Sequence, residues 1–431
     1  MTNSPERQTR SAWTGWTPAQ GFPLPGNPQG HDDRISFILR LGRSLHTSGY
    51  AAPRLEEALH LACDHLALEG QFFSTPTSIM ASFGPQDDQR TFMIRVEPGE
   101  SDLGKLAQVD QVTREVLNGE RTPLEGSRLL EQIEEAPPRY GPVLTTVAFG
   151  VVSAAGGRFL GGGSHEIIVA GGVGLVIGLL ALLMPRVPTL SRVFEPVAAL
   201  TASMLVTLVA AAGFHVSVYL ATIAGVIVLI PGLTLTTAMS ELASRHLASG
   251  TSRFMGALVA LLGIAFGIAF GAKVISLALG SPAVYALHPL PEWTLYVSLL
   301  VAPIGFLVLL KAERRDALWI VLSGVLAFGG ARIGATLFGP ELGAFLGGFV
   351  VGWASNWYAR FTNRPSQIML VPGLLLLVPG SIGARSLASL LDRNVEVGVE
   401  SAFHMVLLAV SLVAGILIAN VVSPKRKLMK G

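Results

Sequence analysis

Apolar residues follow three rhythms along this chain, and each predicts a different kind of element. In segment 33–48, Ile38, Leu41 and Leu45 recur at intervals of three and four residues. In segment 53–68, Leu55, Leu59, Ala62 and Leu66 do the same, so both segments predict amphipathic helices, with Gly49 punctuating them. FFSTPTSIMASF (72–83) and RTFMIRVE (90–97) have strand composition, separated by the turn-like GPQDDQ. Helical spacing returns over 103–118 and 123–135, and the pair Pro137-Pro138 closes the region. Together these segments predict a small α+β domain over residues 33–140.

Beyond it the rhythm gives way to long apolar runs, each near the roughly 20 residues a helix needs to cross a bilayer. Ten are expected, over about 143–160, 165–184, 193–212, 216–236, 254–279, 293–310, 317–337, 342–359, 367–388 and 398–422. The cations between them are placed unevenly. With the N-terminus in the cytoplasm, the inner loops carry Arg186, Arg192, Arg245, Arg253, Lys311, Arg314, Arg315, Arg360 and Arg364, and the tail KRKLMK adds more. The outer loops carry only Arg158 and Arg393. This asymmetry puts both termini on the cytoplasmic side.

The spans also repeat. A shift of 148 residues superposes the first five on the last five, matching Pro231-Gly232 with Pro379-Gly380 and Arg245 with Arg393. Five is odd, so the second copy runs through the membrane upside down, an architecture common in transporters. The expected fold class is therefore a polytopic α-helical membrane protein, about ten transmembrane helices in two inverted five-helix repeats, with a small cytoplasmic α+β N-terminal domain. The expected divisions are a disordered tail (1–32), the α+β domain (33–140), the two repeats (141–284 and 285–424) and a basic tail (425–431).

Composition sharpens this picture. Half of the 431 residues are hydrophobic, 14% are charged, and the mean hydropathy is +0.54; a soluble domain is typically about 25% charged. Residues 1–140 carry 13 Lys+Arg and 19 Asp+Glu, a net of −6, whereas residues 141–431 carry 18 and 10, a net of +8. One cysteine, Cys63, excludes a disulfide framework and a Cys-rich metal site, and is expected to be a small buried hydrophobe. The first 30 residues are polar and rich in Pro and Gly, without the apolar core of a secretory signal. No Walker A motif appears, and GGVGLVIG (171–178) lies inside an apolar run, where it serves helix packing. No cofactor and no nucleic-acid partner is expected; a homo-oligomer is left open.

Candidate chemistry lies where the apolar runs are broken. Proline removes a backbone donor and glycine lets the chain bend, so Pro231-Gly232 and Pro379-Gly380 mark helix breaks whose freed carbonyls need partners. Thr234, Thr236, Thr237 and Ser381 beside them are hydroxyls able to bind a polar solute, or to bond back to their own helix. Charges within apolar runs are expensive and mark sites by default. Arg332, Lys273 and Arg385 are such charges, and Glu241 follows the first break by nine residues. For an amino acid, Arg332 or Arg385 would meet the carboxylate and Glu241 the ammonium group; Glu241 could equally exchange a proton. Lys273 could instead snorkel to the membrane surface, and Glu241 could belong to an amphipathic segment. Gly263, Gly267 and Gly271, with Gly330/Gly334, Gly343/Gly347 and Gly348/Gly352, form small-residue packing steps. In the N-terminal domain Glu56, His60 and Asp64 share one helix face, a hydrolytic site in one reading and a solvated face in the other.

The run SGYAAPRLEEALHLACDHLAL…FFSTPTSIMASF resembles the N-terminal signature of the bacterial threonine/serine exporter family. PGLTLTTAMSELASRHLASGTSRFMGAL resembles that family's proline-glycine, acidic residue and G-x-x-R pattern, with Glu241 where Asp is common. QIMLVPGLLLLVPGSIGARSLASLL resembles the family's smaller C-terminal module, and the likeness extends over about 35–422. The resemblance implies a secondary transporter of the bacterial inner membrane, not an enzyme. It implies export of threonine and serine driven by the membrane potential or the proton gradient; exchange for protons, at a site between the two broken helices, is the expectation. The alternative is a membrane-bound hydrolase whose catalyst is the Glu56, His60 and Asp64 face.

Overall fold

A computed structural model describes residues 32–97, 99, 101–183, 193–280, 282, 283, 285, 287, 288, 290–377 and 395–423. The N-terminal part opens with helices α1 (Asp33–Thr47) and α2 (Ala52–His65). A three-stranded antiparallel sheet in the order β1 (Gly70–Thr75), β2 (Ser78–Phe83), β3 (Arg90–Arg95) follows, then α3 (Leu103–Leu117) and α4 (Pro123–Glu135). The apolar positions picked out by spacing are those that pack. Ile38, Leu41, Leu45, Leu55, Leu59 and Ala62 are all buried. The run 72–83 is two strands rather than one extended piece. Pro76 can neither donate to a ladder nor continue a strand, so Thr75 pairs with Ser78 across a two-residue turn. Cys63 is buried as expected, and burial pushes its thiol up to about 12.

Local capping sets most of these helix starts. Asp102 accepts from the Lys105 backbone N–H at 2.9 Å. Thr122 and Glu125 form a reciprocal capping box at the start of α4. Helix α2 has no side chain of its own at its cap, where Ala51 stands. Its donor is met from elsewhere, as described below.

The remainder is helical: α5 (Pro142–Phe159), α6 (Ser164–Leu183), α7 (Phe194–Ala211), α8 (Val218–Gly225), α9 (Gly232–Ala243), α10 (Leu247–Leu279), α11 (Trp293–Leu309), α12 (Ala317–Phe338), α13 (Pro340–Thr362), α14 (Gln367–Leu377) and α15 (Val395–Val422). Among the described residues six helices are long and apolar enough to cross a membrane, and a seventh span is added if α8 and α9 count as one bent segment. Helix α13 has the length but is less apolar, and α11 and α14 are shorter than a full span. Outward-facing Val259, Phe266, Phe270, Leu277, Ile304 and Leu318 are all exposed. Such a belt of large apolar side chains is stable only against lipid or another apolar surface. The chain is thus a multi-pass helical membrane protein.

Small residues bring the helices close. A Cβ on Gly271 would stand 2.6 Å from the Leu200 carbonyl oxygen, and one on Gly348 2.6 Å from that of Leu412. Gly267 meets Pro196 O still more tightly. The packing steps at Gly330/Gly334 and Gly343/Gly347 face each other across α12 and α13. Gly263 alone of that set makes only ordinary contact, with Pro196.

The N-terminal part is joined to one end of this bundle. Leu103 N–H donates to Leu310 O at 2.9 Å, the Tyr140 hydroxyl to Ala312 O at 2.7 Å, and Arg54 to Ser366 Oγ at 3.2 Å. Its buried apolar residues continue into Phe306, Leu310, Ile320, Tyr358 and Met369 as one cluster. The turns at 244–246, 310–316 and 363–366 therefore all lie at the end that carries the N-terminal part. Arg245, Lys311, Arg314, Arg315 and Arg364 are in these turns. Arg186, Arg192, Arg393 and the KRKLMK tail lie outside the described residues.

Candidate functional site

The break at Pro231-Gly232 is present and its geometry follows from its residues. Helix α8 ends at Gly225, residues 227–229 form a 3₁₀ turn, and Ile230 is extended at φ −66°, ψ 122°. A residue before proline is biased toward extended backbone. Pro231 then caps α9, which leaves the α8 direction by 53°. The carbonyl of Gly225, the last residue of α8, accepts a hydrogen bond from Ser153 Oγ of α5 at 3.1 Å. That is how the break is satisfied in a place where water is scarce. At the other lip, the Gly232 N–H donates to Ile230 O at 2.7 Å, and the N–H groups that follow it in the first turn of α9 make a favourable place for a carboxylate.

Of the three threonines, Thr236 is buried and its hydroxyl bonds back to Gly232 O at 3.1 Å, stabilising the helix rather than facing a solute. Thr234 and Thr237 are half-buried on the same short helix. Helix α9 lies against α14 and α15, and its Leu233 packs with Leu370, Leu374 and Leu412. The first break thus abuts α14, the helix that precedes Pro379-Gly380 in the sequence. Pro379, Gly380, Ser381 and Arg385 lie outside the described residues.

Glu241 is fully buried at the far end of α9. Arg253 of α10 grips it as a fork, Nε to Oε2 at 3.1 Å and Nη2 to Oε1 at 3.2 Å. The same Oε1 accepts the Ala52 backbone N–H at 3.0 Å, the first donor of α2 and the one its own cap leaves unmet. A membrane helix therefore caps a helix of the N-terminal part across 189 residues of sequence. One turn away, Glu56 accepts the Ser74 N–H at 2.7 Å through Oε1 and meets His246 Nε2 at 3.2 Å through Oε2. His46, 4% exposed, bonds Thr75 O through Nε2 at 3.1 Å while its Nδ1 has no partner among the described residues. Burial, and then the positive charge of Arg253, hold its imidazole below the ordinary value against the opposing pulls of Thr75 O and Glu241.

The G-x-x-R pattern has a physical meaning here. A Cβ on Gly250 would lie 2.7 Å from Leu242 and 3.0 Å from Ala238 O, so glycine lets α9 and α10 close into a tight hairpin. Three residues later on the same face, Arg253 reaches Glu241. The pairing of Arg253, Ala52, Glu56 and His246 with this helix was not identified from the sequence. The G-x-x-R pattern is its only trace there, because a cation near a loop carries no mark of its partner.

Arg332 is not brought to Glu241. It stands sixteen residues along α12 from Asp316, about 24 Å at the usual helical rise, toward the opposite end of the bundle. There it is about half exposed, 3.8 Å from Glu292 and 5.9 Å from the Phe328 ring centre. Lys273 is exposed on α10. Also unforeseen is a charged knot at the N-terminal end. Arg364 bridges Glu313 at 2.7 Å and Asp316 at 2.8 Å, and Arg139 reaches Glu313 at 3.2 Å. Burial alone would raise the Glu313 carboxyl, but Arg315 and Arg364 together hold it below the ordinary carboxylate value.

The Glu56, His60 and Asp64 face does not converge on a site. Glu56 is engaged as above, His60 is exposed with its ring edge on Phe72 at 5.1 Å, and Asp64 is exposed. Among the described residues no group of His, Cys, Asp and Glu could hold a metal.

Comparison with known proteins shows the family. A threonine/serine exporter family model, ThrE, matches residues 36–275, and a second, described as "Threonine/Serine exporter, ThrE", matches residues 296–422. Several curated relatives are fungal. Pheromone-regulated membrane protein 10 of Debaryomyces hansenii is 30% identical over 250 residues, covering 56% of this chain and 24% of that protein. Its namesake in Eremothecium gossypii is 26% identical over 393 residues, covering 86% and 52%, and that of Candida albicans is 26% identical over 370 residues, covering 82% and 33%. The chain spans between about a quarter and about half the length of these relatives. No solved structure matches. With both models in order along the bundle, this chain belongs to the threonine/serine exporter family.

Proposed function

We propose that this protein is a secondary transporter that exports threonine, serine and similar small amino acids, driven by the proton gradient. The observation that carries the reading is the broken span at Pro231-Gly232 in a chain of this family. It offers a helix N-terminus for a carboxylate and the half-buried Thr234 and Thr237 for a side-chain hydroxyl. The second break, Pro379-Gly380 with Ser381 and Arg385, completes the site from the other repeat. Ten spans in two inverted repeats are part of this reading. At the offset of 148 residues, α8 corresponds to α14 and α10 to α15; Gly267, which crosses Pro196 closely, falls on Gly415, which crosses Phe345, one residue beyond the position matching Pro196.

The N-terminal part and both termini lie in the cytoplasm, and the membrane is the bacterial cytoplasmic membrane. The cations gathered at the 244–246, 310–316 and 363–366 turns, all at the N-terminal part's end, support that orientation. Glu241 is the proposed coupling residue. Arg332, given its place near the opposite end, helps substrate leave rather than meeting it beside Glu241.

Counterflow tests the whole reading. Proteoliposomes preloaded with unlabelled threonine should accumulate labelled threonine, serine should compete, and an imposed pH gradient should drive net flux. Saturable counterflow absent for threonine and serine alike would overturn the substrate assignment. Flux indifferent to the pH gradient would overturn the coupling.

A further inference from the structure

The first turn of α2 touches two helices of the bundle at once. Ala52 N–H donates to Glu241 at the far end of α9, and two residues later Arg54 Nη1 donates to Ser366 Oγ, at the start of α14, at 3.2 Å. These are the helix that follows Pro231-Gly232 and the helix that precedes Pro379-Gly380 in the sequence. Other arginines at this end of the bundle meet carboxylates: Arg253 meets Glu241, Arg364 meets Glu313 and Asp316, and Arg139 meets Glu313. Arg54 meets a hydroxyl. Among the described residues its Nε and Nη2 donate to nothing, and no carboxylate pairs with it. The residue is nonetheless only partly exposed. Burial weakens its hold on the proton, against the opposing pulls of Tyr50 and Glu57. Taking a cation out of water without a counter-charge is costly. A forked pair of hydrogen bonds to a carboxylate is what a guanidinium is best built to make.

We infer that Arg54 receives the carboxylate of the amino acid entering from the cytoplasm, at an entrance framed by α2, α9 and α14. The start of α8 gives the chemical precedent. At the offset of 148 residues Ser366 falls on Val218, the first residue of α8. There a buried carboxylate of the chain itself, Glu166, accepts the Ser217 N–H through Oε1 and the Gly163 N–H through Oε2, both at 2.9 Å. At α14 the chain supplies a cation instead, with donors left over for a carboxylate that a ligand brings. Glu57, exposed and three residues on in α2, lies on the same helix face and suits the ammonium group. Because the Ala52 N–H ties α2 to Glu241, a ligand held by Arg54 stands close to the residue proposed to carry the proton. That the ligand is the exported amino acid rests on the export reading. Arg54 is then the entry counterpart of Arg332 near the opposite end.

The test uses the purified full chain in a nonionic detergent, so that no anionic lipid headgroup competes. It is titrated with threonine and with threonine amide at about pH 6.5, where both ligands keep the ammonium charge. The unaltered protein should bind threonine roughly tenfold or more tighter than the amide, which lacks the carboxylate. No preference in the unaltered protein overturns the inference. In Arg54→Gln threonine should weaken by about tenfold or more while the amide is nearly unchanged, so that the preference disappears. A purely structural role would weaken both ligands alike, and an unchanged ratio overturns the inference. Where Arg54→Gln does not fold, Arg54→Lys keeps the charge but loses the fork, and it should cut the preference severalfold. An unchanged ratio in that variant overturns the inference equally. Threonine counterflow by the unaltered protein in proteoliposomes, run alongside, separates the two readings. Its presence with an unchanged ratio leaves export standing without Arg54. Its absence overturns the export reading, and this inference falls with it.

Discussion

His46 shows how much one side chain can report. Its Nε2 bonds Thr75 O, so in the neutral form that nitrogen carries the proton and the buried Nδ1 is bare. Protonation would add a second donor with nothing to receive it, and a positive charge near Arg253. The imidazole is thus held below its unfolded value of about 6.5. The unfolded chain binds the proton first, so the stability of the N-terminal part is fully present above about pH 6.5. It falls as the pH drops from there toward the lower, folded-state value. Thermal melts at pH 7.5 and 5.0 should show this loss, and His46→Gln, which keeps a donor for Thr75 O, should flatten the slope. A slope unchanged in His46→Gln would show that His46 is not the group responsible. None of this was visible in the sequence, because His46 sits on an ordinary helical face and nothing local marks its burial.

Elements were more legible where the physics is local. The helices at 33–47, 52–65, 103–117 and 123–135 follow from apolar spacing, and the last two also from caps that lie in the sequence itself. The turn at Pro76 was lost inside a run whose composition is uniformly strand-like. Of the small-residue steps, spacing alone could not distinguish glycines that touch a neighbour from those that do not. The structure separates them on a single helix, α10. Gly267 presses on Pro196 O, whereas a Cβ on Gly256 would meet nothing within 4 Å. Gly267→Ala should therefore force α7 and α10 apart and destabilise by at least about 2 kcal/mol, the scale of overpacking. Gly256→Ala should instead be neutral or stabilise by about 0.5 kcal/mol, since it relieves the entropic cost of glycine in a helix. Melting temperatures of the two variants in one detergent decide this. Equal effects would mean that the crossing at Gly267 tolerates a methyl group.

On the scale of the whole molecule, the Glu241 contact joins the broken span to the N-terminal part. Pro231-Gly232 was legible because proline and glycine act on their own backbone. The partnership of Glu241 with Ala52 was not, since a contact across 189 residues leaves no period to read, and the one with Arg253 spans a turn between two helices that no single helical period covers. The structure alters what substitutions there should do. Arg253→Ala strands a fully buried carboxylate, and losing one partner of a buried pair costs about 3–5 kcal/mol. Glu241→Gln keeps an oxygen for the Ala52 N–H and removes the charge, so it should cost less. Arg253→Gln in the Glu241→Gln background should recover much of the single-variant loss. Transport separates the roles further. If Glu241 carries the proton, Glu241→Gln should still exchange labelled for unlabelled threonine but lose uphill export driven by a pH gradient. If the residue is only the clamp between α9 and α2, gradient-driven export should survive in Glu241→Gln while melting shifts downward. Failure of exchange as well would point to contact with the substrate ammonium group. Measured on one purified variant, melting, exchange and gradient-driven export together distinguish proton carrier, clamp and ligand.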